Sequence, residues 1–379
     1  MYVAHLALHN FRSYAEVEFD LAPGSTAFIG PNGQGKTNLV EAIDYVATLR
    51  SHRVANDTPL VKADTDLAVI RAKVVRGDRT ALLEVEITPG KANRARINKS
   101  PLPRTRDIVG VLRTVLFSPE DLALIKGDPA DRRHFLDSLL VLQTPRLGGV
   151  RADYDRILRQ RNTLLKSAGR RRDAELPTLD IWDENLARVG GELMAARIAL
   201  LANLAPYLAS SYTKVAAQAA ADRQAATAIY RPSFEIDEAL VDGAAVDAAS
   251  LSAALLAELG RRRRDEMDRG VSLVGPHRDD VTLTLGDLPA KGYASHGESW
   301  SFALALKLSS FELLRADGDD PVLILDDVFA ELDLGRRDQL AALVATAEQV
   351  LVTAAVADDV PEGLVGQRFN VKDGGVTRD

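Results

Sequence analysis

Gly30-Pro31-Asn32-Gly33-Gln34-Gly35-Lys36-Thr37 carries the strongest chemical signal in the chain, matching G-x-x-x-x-G-K-[ST] at every position. Glycines in such a loop let backbone N–H groups turn inward around phosphate oxygens. Lys36 supplies a mobile positive charge for β- and γ-phosphates, and Thr37 supplies a hydroxyl for Mg²⁺. A helix that opens at about Lys36 and runs through Asn38 adds its N-terminal dipole to the same anion site. Far downstream, Pro321-Val322-Leu323-Ile324-Leu325-Asp326-Asp327 is an apolar run ending in two acids. A rigid buried strand that delivers Asp326 beside Thr37 completes a Mg²⁺ site, and Asp327 then stands where it can polarise an attacking water. A chance glycine turn and a strand ending in two solvated acids would explain each cluster separately. Their joint presence favours nucleotide chemistry. Guanine reading through N-K-x-D is absent, because Asn98-Lys99-Ser100 is followed by Pro101, so the expected nucleotide is ATP with Mg²⁺.

These residues need elements to hold them. Ala27-Phe28-Ile29 reads as the strand feeding the loop, and Asn38 to Leu49 as the helix leaving it. Residues 2–9 and 15–21 alternate as strands, with Asn10-Phe11-Arg12-Ser13-Tyr14 as a polar turn between them. Ser51-His52-Arg53 to Pro59 reads as loop. Residues 67–75 and 81–88 read as strands, with Arg94 to Ile97 as a hairpin partner. From residue 130 to 222 the pattern turns helical: Tyr154, Ile157, Leu158, Arg161, Leu164 and Leu165 recur at helical spacing. A second alanine- and leucine-rich stretch spans residues 179–221. Further strands are expected at 225–230, 271–274, 281–285 and 349–353, with helices at about 247–268 and 335–345. The fold class is α/β: a P-loop ATPase head with a mixed sheet and an antiparallel β insertion, plus a second, mostly α-helical arm domain. Residues 1–118 with 271–379 are assigned to the head and 119–270 to the arm.

At 379 residues, with 46 % apolar and 27 % charged side chains, the chain has the composition of a globular protein large enough for more than one domain. It has no cysteine, which excludes disulfides and thiolate metal sites and suits a reducing cytoplasmic location. The N-terminus does not read as an export signal, and the most apolar long stretch, residues 186–208, carries Arg188, Glu192 and Arg197. Membrane insertion is therefore not expected. The net charge of −7 argues mildly against a nucleic-acid partner, so such a partner must rest on local clusters. Residues 151–172 provide one: Arg151, Arg156, Arg159, Arg161, Lys166, Arg170, Arg171 and Arg172 against Asp153 and Asp155. That stretch can neutralise backbone phosphates, although a solvated helix face is the plainer alternative. Arg261 to Arg264 is weaker, because acids follow it at once. Few aromatics interleave with these cations, so base stacking is not expected.

A long insertion between P-loop and acidic strand is the layout of ABC-type ATPases of chromosome maintenance, which carry a Leu-Ser-Gly-Gly-Gln-like signature before that strand. Ser295-His296-Gly297-Glu298 stands in the matching place, with Ser295 and Gly297 agreeing and His296 and Glu298 departing. The same residues also satisfy a helix capping box, Ser295 at N-cap and Glu298 at N3. With these motifs the chain resembles the RecF family of SMC-related ATPases, almost end to end. The resemblance rests on Leu8 to Tyr14, Gly30 to Asn38, Phe117 to Leu122, Asp131 to Asp137, Gly275 to Asp280 and Leu325 to Asp333.

The resemblance implies a slow ATPase that dimerises on ATP and binds DNA at gaps or single-strand/double-strand junctions, serving recombinational gap repair and replication restart. It also implies partnership with RecR and RecO. Ser295, Gly297 and Glu298 would meet the γ-phosphate held by a second subunit, Leu332-Asp333 would lie at the dimer seam, and Arg12 would lie close to the nucleotide. Lys36 and Asp327 would be the catalytic pair. Two features depart from most ABC enzymes: aspartate replaces the catalytic glutamate, and Thr353-Ala354-Ala355 stands where a switch histidine is usual. His277 lacks a neighbouring nucleophile and reads as structural or nucleotide-sensing. The competing readings are a monomeric P-loop phosphotransferase acting on a small acceptor and a transporter's ATPase subunit.

Overall fold

The computed structural model describes residues 1–168, 177–216, 223–237, 246–318, 320–364 and 366–379. In chain order, β1 (Tyr2–Phe11), β2 (Tyr14–Asp20) and β3 (Gly24–Ile29) lead into α1 (Lys36–Thr48). Next come β4 (Ala68–Arg76), β5 (Arg79–Ile87), β6 (Arg94–Ile97), β7 (Ser100–Pro101) and β8 (Thr114–Phe117). The helical segment comprises the short α2 (Ala123–Lys126), α3 (Pro129–Gln143), α4 (Leu147–Ala168) and α5 (Pro177–Val215), then β9 (Ala226–Arg231) and α6 (Ala248–Arg269). The chain continues through β10 (Asp280–Leu285), β11 (Leu288–Pro289), a short α7 (Ala290–Tyr293) and α8 (His296–Ala316). It finishes with β12 (Val322–Asp326), α9 (Leu334–Val344), β13 (Gln349–Ala354), β14 (Gln367–Lys372) and β15 (Gly375–Arg378).

By packing the chain divides into two units: residues 1–122, 211–217 and 300–379, and residues 123–210 with 218–299. The first unit holds two sheets. One is antiparallel, in the order β2-β1-β4-β5-β6-β7, and contains the expected β insertion. Its β1–β2 hairpin turns at Arg12, whose left-handed φ of 54° closes the tight connection between Phe11 and Tyr14. The other sheet runs β15-β14-β3-β13-β12-β8, parallel except for β15. Every residue of β12 and β13 is buried, which is why residues 322–325 and 350–352 read as apolar runs, with Gln349, Thr353 and Asp326 the buried polar exceptions. Register sets Asp326 beside Thr353, and Ile29 beside Ala354. The P-loop and both acids therefore emerge at the carboxyl ends of parallel strands β3 and β12, on either side of β13, where open α/β sheets bind ligands.

The second unit is mostly helical but contains the three-stranded sheet β11-β10-β9. Residues 271–299 were expected with the head and instead belong here. The cause is visible in the bonds: β10 pairs along its length with β9, and Arg132 of α3 holds Asp280 through both Nε and Nη2. The expected strand at 271–274 does not form. Its backbone donors go to side chains, Ser272 N–H to Asn162 Oδ1 at 2.7 Å and Leu273 N–H to Glu266 Oε1 at 2.7 Å. Among the described residues one helix, Thr178–Val215, is long and apolar enough to cross a membrane, contrary to expectation. Within the second unit its Leu186, Met194 and Leu204 are buried, and buried Arg197 bonds Asp137 at 2.8 Å. Those are the marks of a core helix.

Candidate functional site

The P-loop is shaped by close approaches as much as by open space. Gly33 (φ 82°) and Gly35 (φ 103°) take left-handed conformations that disfavour side chains. Gly30 is restricted differently, since a Cβ there would be driven into the carbonyl oxygen of Val371 in β14. Gln34 Oε1 accepts the Asp373 N–H at 2.7 Å, so the C-terminal β14–β15 hairpin braces one side of the loop. The N-terminal hairpin braces the other: Tyr14 OH donates to the Gly35 carbonyl at 3.2 Å, and Asn38 donates to Ser13 Oγ at 2.9 Å. Helix α1 begins after Gly35 with no side-chain cap and no acid in its first turn. Its N-terminal dipole is therefore left for an incoming anion. Lys36 Nζ donates to the carbonyls of Gly30 (2.7 Å) and Pro31 (3.2 Å) and to Asn32 Oδ1 (3.4 Å), arched over the loop where phosphate oxygens would compete for it.

The two distant motifs meet. Thr37 Oγ1 donates to Asp326 Oδ1 at 2.9 Å, and Thr353 Oγ1 donates to the same oxygen at 2.7 Å. A hydroxyl and a buried carboxylate oxygen side by side fit the donor set of a hard cation such as Mg²⁺. Asp327 sits in the left-handed region (φ 52°) and gives its N–H to Thr353 Oγ1 at 2.9 Å. Burial, and then the charge of Asp326, push its carboxyl pKa up, while Lys36 pulls the other way. Thr353 thus occupies the place of the absent switch histidine and ties both acids to β13.

Three neighbours were not legible as site residues. His52 Nε2 lies 3.6 Å from Asp326 Oδ2, too long for a hydrogen bond. Burial works to lower its pKa, but Asp326, Asp44 and Glu41 outweigh that and raise it. Glu41 is buried on α1 and takes two bonds from Arg12, at 2.8 and 2.5 Å. Arg12, expected close to the nucleotide, bonds Glu41 of the P-loop helix and the Pro59 carbonyl with its guanidinium. Arg53 bonds Asn38 Oδ1 at 3.0 Å and thereby joins the rim of the loop. His52 and Arg53 sit in what reads as an ordinary polar loop, and only the fold brings them here.

In the second unit the signature residues form a reciprocal capping box. Ser295 N–H donates to Glu298 Oε2 at 2.8 Å, and Glu298 N–H donates to Ser295 Oγ at 3.2 Å. These bonds from Ser295 lower the Glu298 pKa. Ser295 and His296 are exposed and Gly297 half-exposed at the tip of α8.

The expected DNA cluster does not hold together. Arg161 is fully buried, bonding Asp183 and Glu266 at 2.6 Å each and Ser272 at 2.7 Å, and is removed from the set. Arg151 is largely covered and paired with Asp137 at 3.1 Å, so it leaves too. Arg156 is exposed but pairs with Asp153 at 3.3 Å. Arg159 and Lys166 remain exposed, and Arg170, Arg171 and Arg172 lie outside the described residues. His277 accepts from Tyr154 OH at 2.7 Å through Nδ1 and faces the Ser272 carbonyl at 3.2 Å through Nε2. Burial depresses its pKa to about 4, leaving it a neutral structural hub.

The nucleotide loop, the paired acids and the parallel sheet behind them define a P-loop head of the SMC class, and residues 2–368 match the family model described as RecF/RecN/SMC N terminal domain. An SMC head domain with an extended coiled coil from Pyrococcus furiosus shares the fold at a TM-score of 0.54 and 16 % identity, covering 100 % of this chain and 96 % of that one. The chain belongs to the RecF family of DNA replication and repair proteins. It is 59 % identical to the DNA replication and repair protein RecF of a Nocardioides species and 56 % identical to that of Streptomyces avermitilis, over the full length of each. A solved structure described as the recombination mediator protein RecF with ATP in the RecFOR pathway superposes with a TM-score of 0.89 at 28 % identity, covering 100 % of this chain and 97 % of that one. The acceptor-kinase and transporter readings are set aside on this membership.

Proposed function

We propose that this chain is an ATP-operated DNA clamp of recombinational gap repair, slow in turnover and closed by pairing with a second copy. The observation that carries the reading is the 2.9 Å meeting of Thr37 with Asp326, which assembles a hard-cation site beside an uncapped helix N-terminus. In this account the loop N–H groups and Lys36 bind the β- and γ-phosphates, and Thr37 and Asp326 hold Mg²⁺, which supplies charge neutralisation at the transferred phosphoryl group. Asp327 orients the attacking water and accepts its proton. Its side chain is one methylene shorter than glutamate, which holds water less well and slows turnover. The exposed Ser295–Gly297 tip of the second copy donates to the γ-phosphate, so hydrolysis removes the group that joins the two subunits. Gapped duplex or a single-strand/double-strand junction is the DNA expected. The RecFOR pathway named for the solved relative supports RecR, acting with RecO, as the protein partner.

The test is phosphate release and ATP binding measured together, with and without gapped duplex. Wild-type turnover should be slow and raised by DNA, while Lys36→Arg should retain some ATP binding and lose hydrolysis. Turnover indifferent to DNA, or hydrolysis surviving in Lys36→Arg, would overturn the reading.

A further inference from the structure

In the second unit four exposed cations gather around the C-terminal half of α4. Arg159, Asn162 and Lys166 are spaced by three and four residues and share one stripe of that helix. Asn162 fixes the neighbouring segment by bonding both the N–H and the hydroxyl of Ser272. Arg278 leans on the same residue, its Nε and Nη2 each 3.4 Å from the Ser272 carbonyl. At the other end of the stripe a Cβ on Gly270 would stand 3.1 Å from Lys166 Cγ, which sets Lys166 against the end of α6 beside Arg269.

Arg159, Lys166, Arg269 and Arg278 are exposed, and among the described residues none makes an ion pair with a carboxylate. That separates them from Arg161, Arg261, Arg262 and Arg263, while Arg264 of α6 is likewise exposed and without an ion pair among the described residues. Arg161 is consumed by Asp183 and Glu266, Arg261 and Arg262 by Glu258, and Arg263 by Asp180 and Asp183. Asp155 closes the stripe at its N-terminal end and Asp268 adjoins Arg269, so the patch is bounded by acids on two sides. The C-terminal dipole of α6 favours cations at Lys166 and Arg269 without neutralising them, and it says nothing of Arg159 and Arg278. In a chain of net charge −7, an unneutralised basic patch is a local exception to the protein's own field.

We infer that Arg159, Lys166, Arg269 and Arg278 form one phosphate-binding face of the helical unit, and that it takes the sugar–phosphate backbone of DNA. The assignment rests on the DNA-clamp reading above and adds to it the residues that make contact. Two are new: Arg269 and Arg278, the latter from the Gly275–Asp280 turn, whose neighbours His277, Asp279 and Asp280 are all engaged inside the unit. That turn therefore has a buried side that fixes its shape and one arginine left outside. Lacking interleaved aromatics, the face reads backbone and not bases, so its contribution is electrostatic and salt-dependent.

The experiment is fluorescence anisotropy of labelled gapped duplex DNA with the full chain, ATP and Mg²⁺, repeated over a series of salt concentrations. The variants are Arg159→Gln/Lys166→Gln/Arg269→Gln/Arg278→Gln and a charge-matched control in the antiparallel sheet, Arg71→Gln/Arg79→Gln/Arg94→Gln/Arg96→Gln. Each phosphate contact contributes about 0.9 to the slope of log K against log salt, so the first variant should lower the slope by roughly 3 to 4 and weaken binding at least about tenfold at low salt. The control should keep the wild-type slope. An unchanged slope in the first variant, or an equal fall in both, would overturn the assignment while leaving DNA binding in place. A wild-type protein that binds no gapped duplex would instead remove the DNA reading, and this face with it.

Discussion

Acidification should weaken the second unit through one residue, and the size of the loss follows from its bonds. His277 is neutral because Nδ1 receives the Tyr154 hydroxyl at 2.7 Å and Nε2 donates toward the Ser272 carbonyl at 3.2 Å. Burial penalises the charged ring, and the charges of Arg278, Arg133 and Arg161 add to that, which holds the pKa near 4 instead of 6.5. A second ring proton would also break the Tyr154 bond. The unfolded chain takes up a proton as pH falls through 6.5 and the folded chain does not, so the unfolded state binds more protons between about pH 6.5 and 4. Stability is full above 6.5, falls as pH drops across that window, and levels off below it. At 1.36 kcal/mol per unit the loss totals about 3 kcal/mol. Urea denaturation of wild type and His277→Gln at intervals from pH 7 to 4 isolates the residue, because other titrations cancel in the difference. The gap between the two proteins should shrink by about that amount on acidification. Parallel pH profiles for the two proteins would refute the argument.

Other consequences are equally specific. Arg161→Met strands Glu266 in the interior and leaves Asp183 with Arg263 alone, so it should cost about 3 to 5 kcal/mol in denaturation, while the salt slope of DNA binding stays at the wild-type value. Gly30→Ala drives a methyl into the Val371 carbonyl, so it should lower Tm and ATP affinity together, whereas Gly363→Ala, with open space around it, should do neither. Asp327→Asn should retain ATP binding and lose phosphate release by at least about a hundredfold, leaving nucleotide bound over hours in a filter assay.

The legible parts of this molecule were those whose function is local in sequence. The P-loop and the strand ending at Asp326 announce themselves, since a buried parallel strand must be apolar throughout and its last residue must turn polar. The Ser295 capping box was readable for the same reason. What stayed hidden was tertiary. Nothing in Ser51-His52-Arg53 says that it folds against Asp326 and Asn38, and nothing in residues 367–378 says that they brace the P-loop. Arg161 is instructive because its clue was present: it lies seven residues after Tyr154, on the buried stripe of α4, where an arginine must be paired and cannot serve a ligand. Arginine count alone placed it with exposed cations. The missing strand at 271–274 failed in the opposite way: Val271 and Val274 favour a strand, but the backbone N–H groups of Ser272 and Leu273 between them go to the side chains of Asn162 and Glu266.

Sedimentation velocity with saturating ATP and Mg²⁺, on wild type and on Ser295→Arg, tests the clamp most directly. The account predicts that ATP doubles the sedimenting mass of wild type and leaves Ser295→Arg at its nucleotide-free mass, although both bind ATP. A wild-type protein that binds ATP and shows no gain in mass would contradict it.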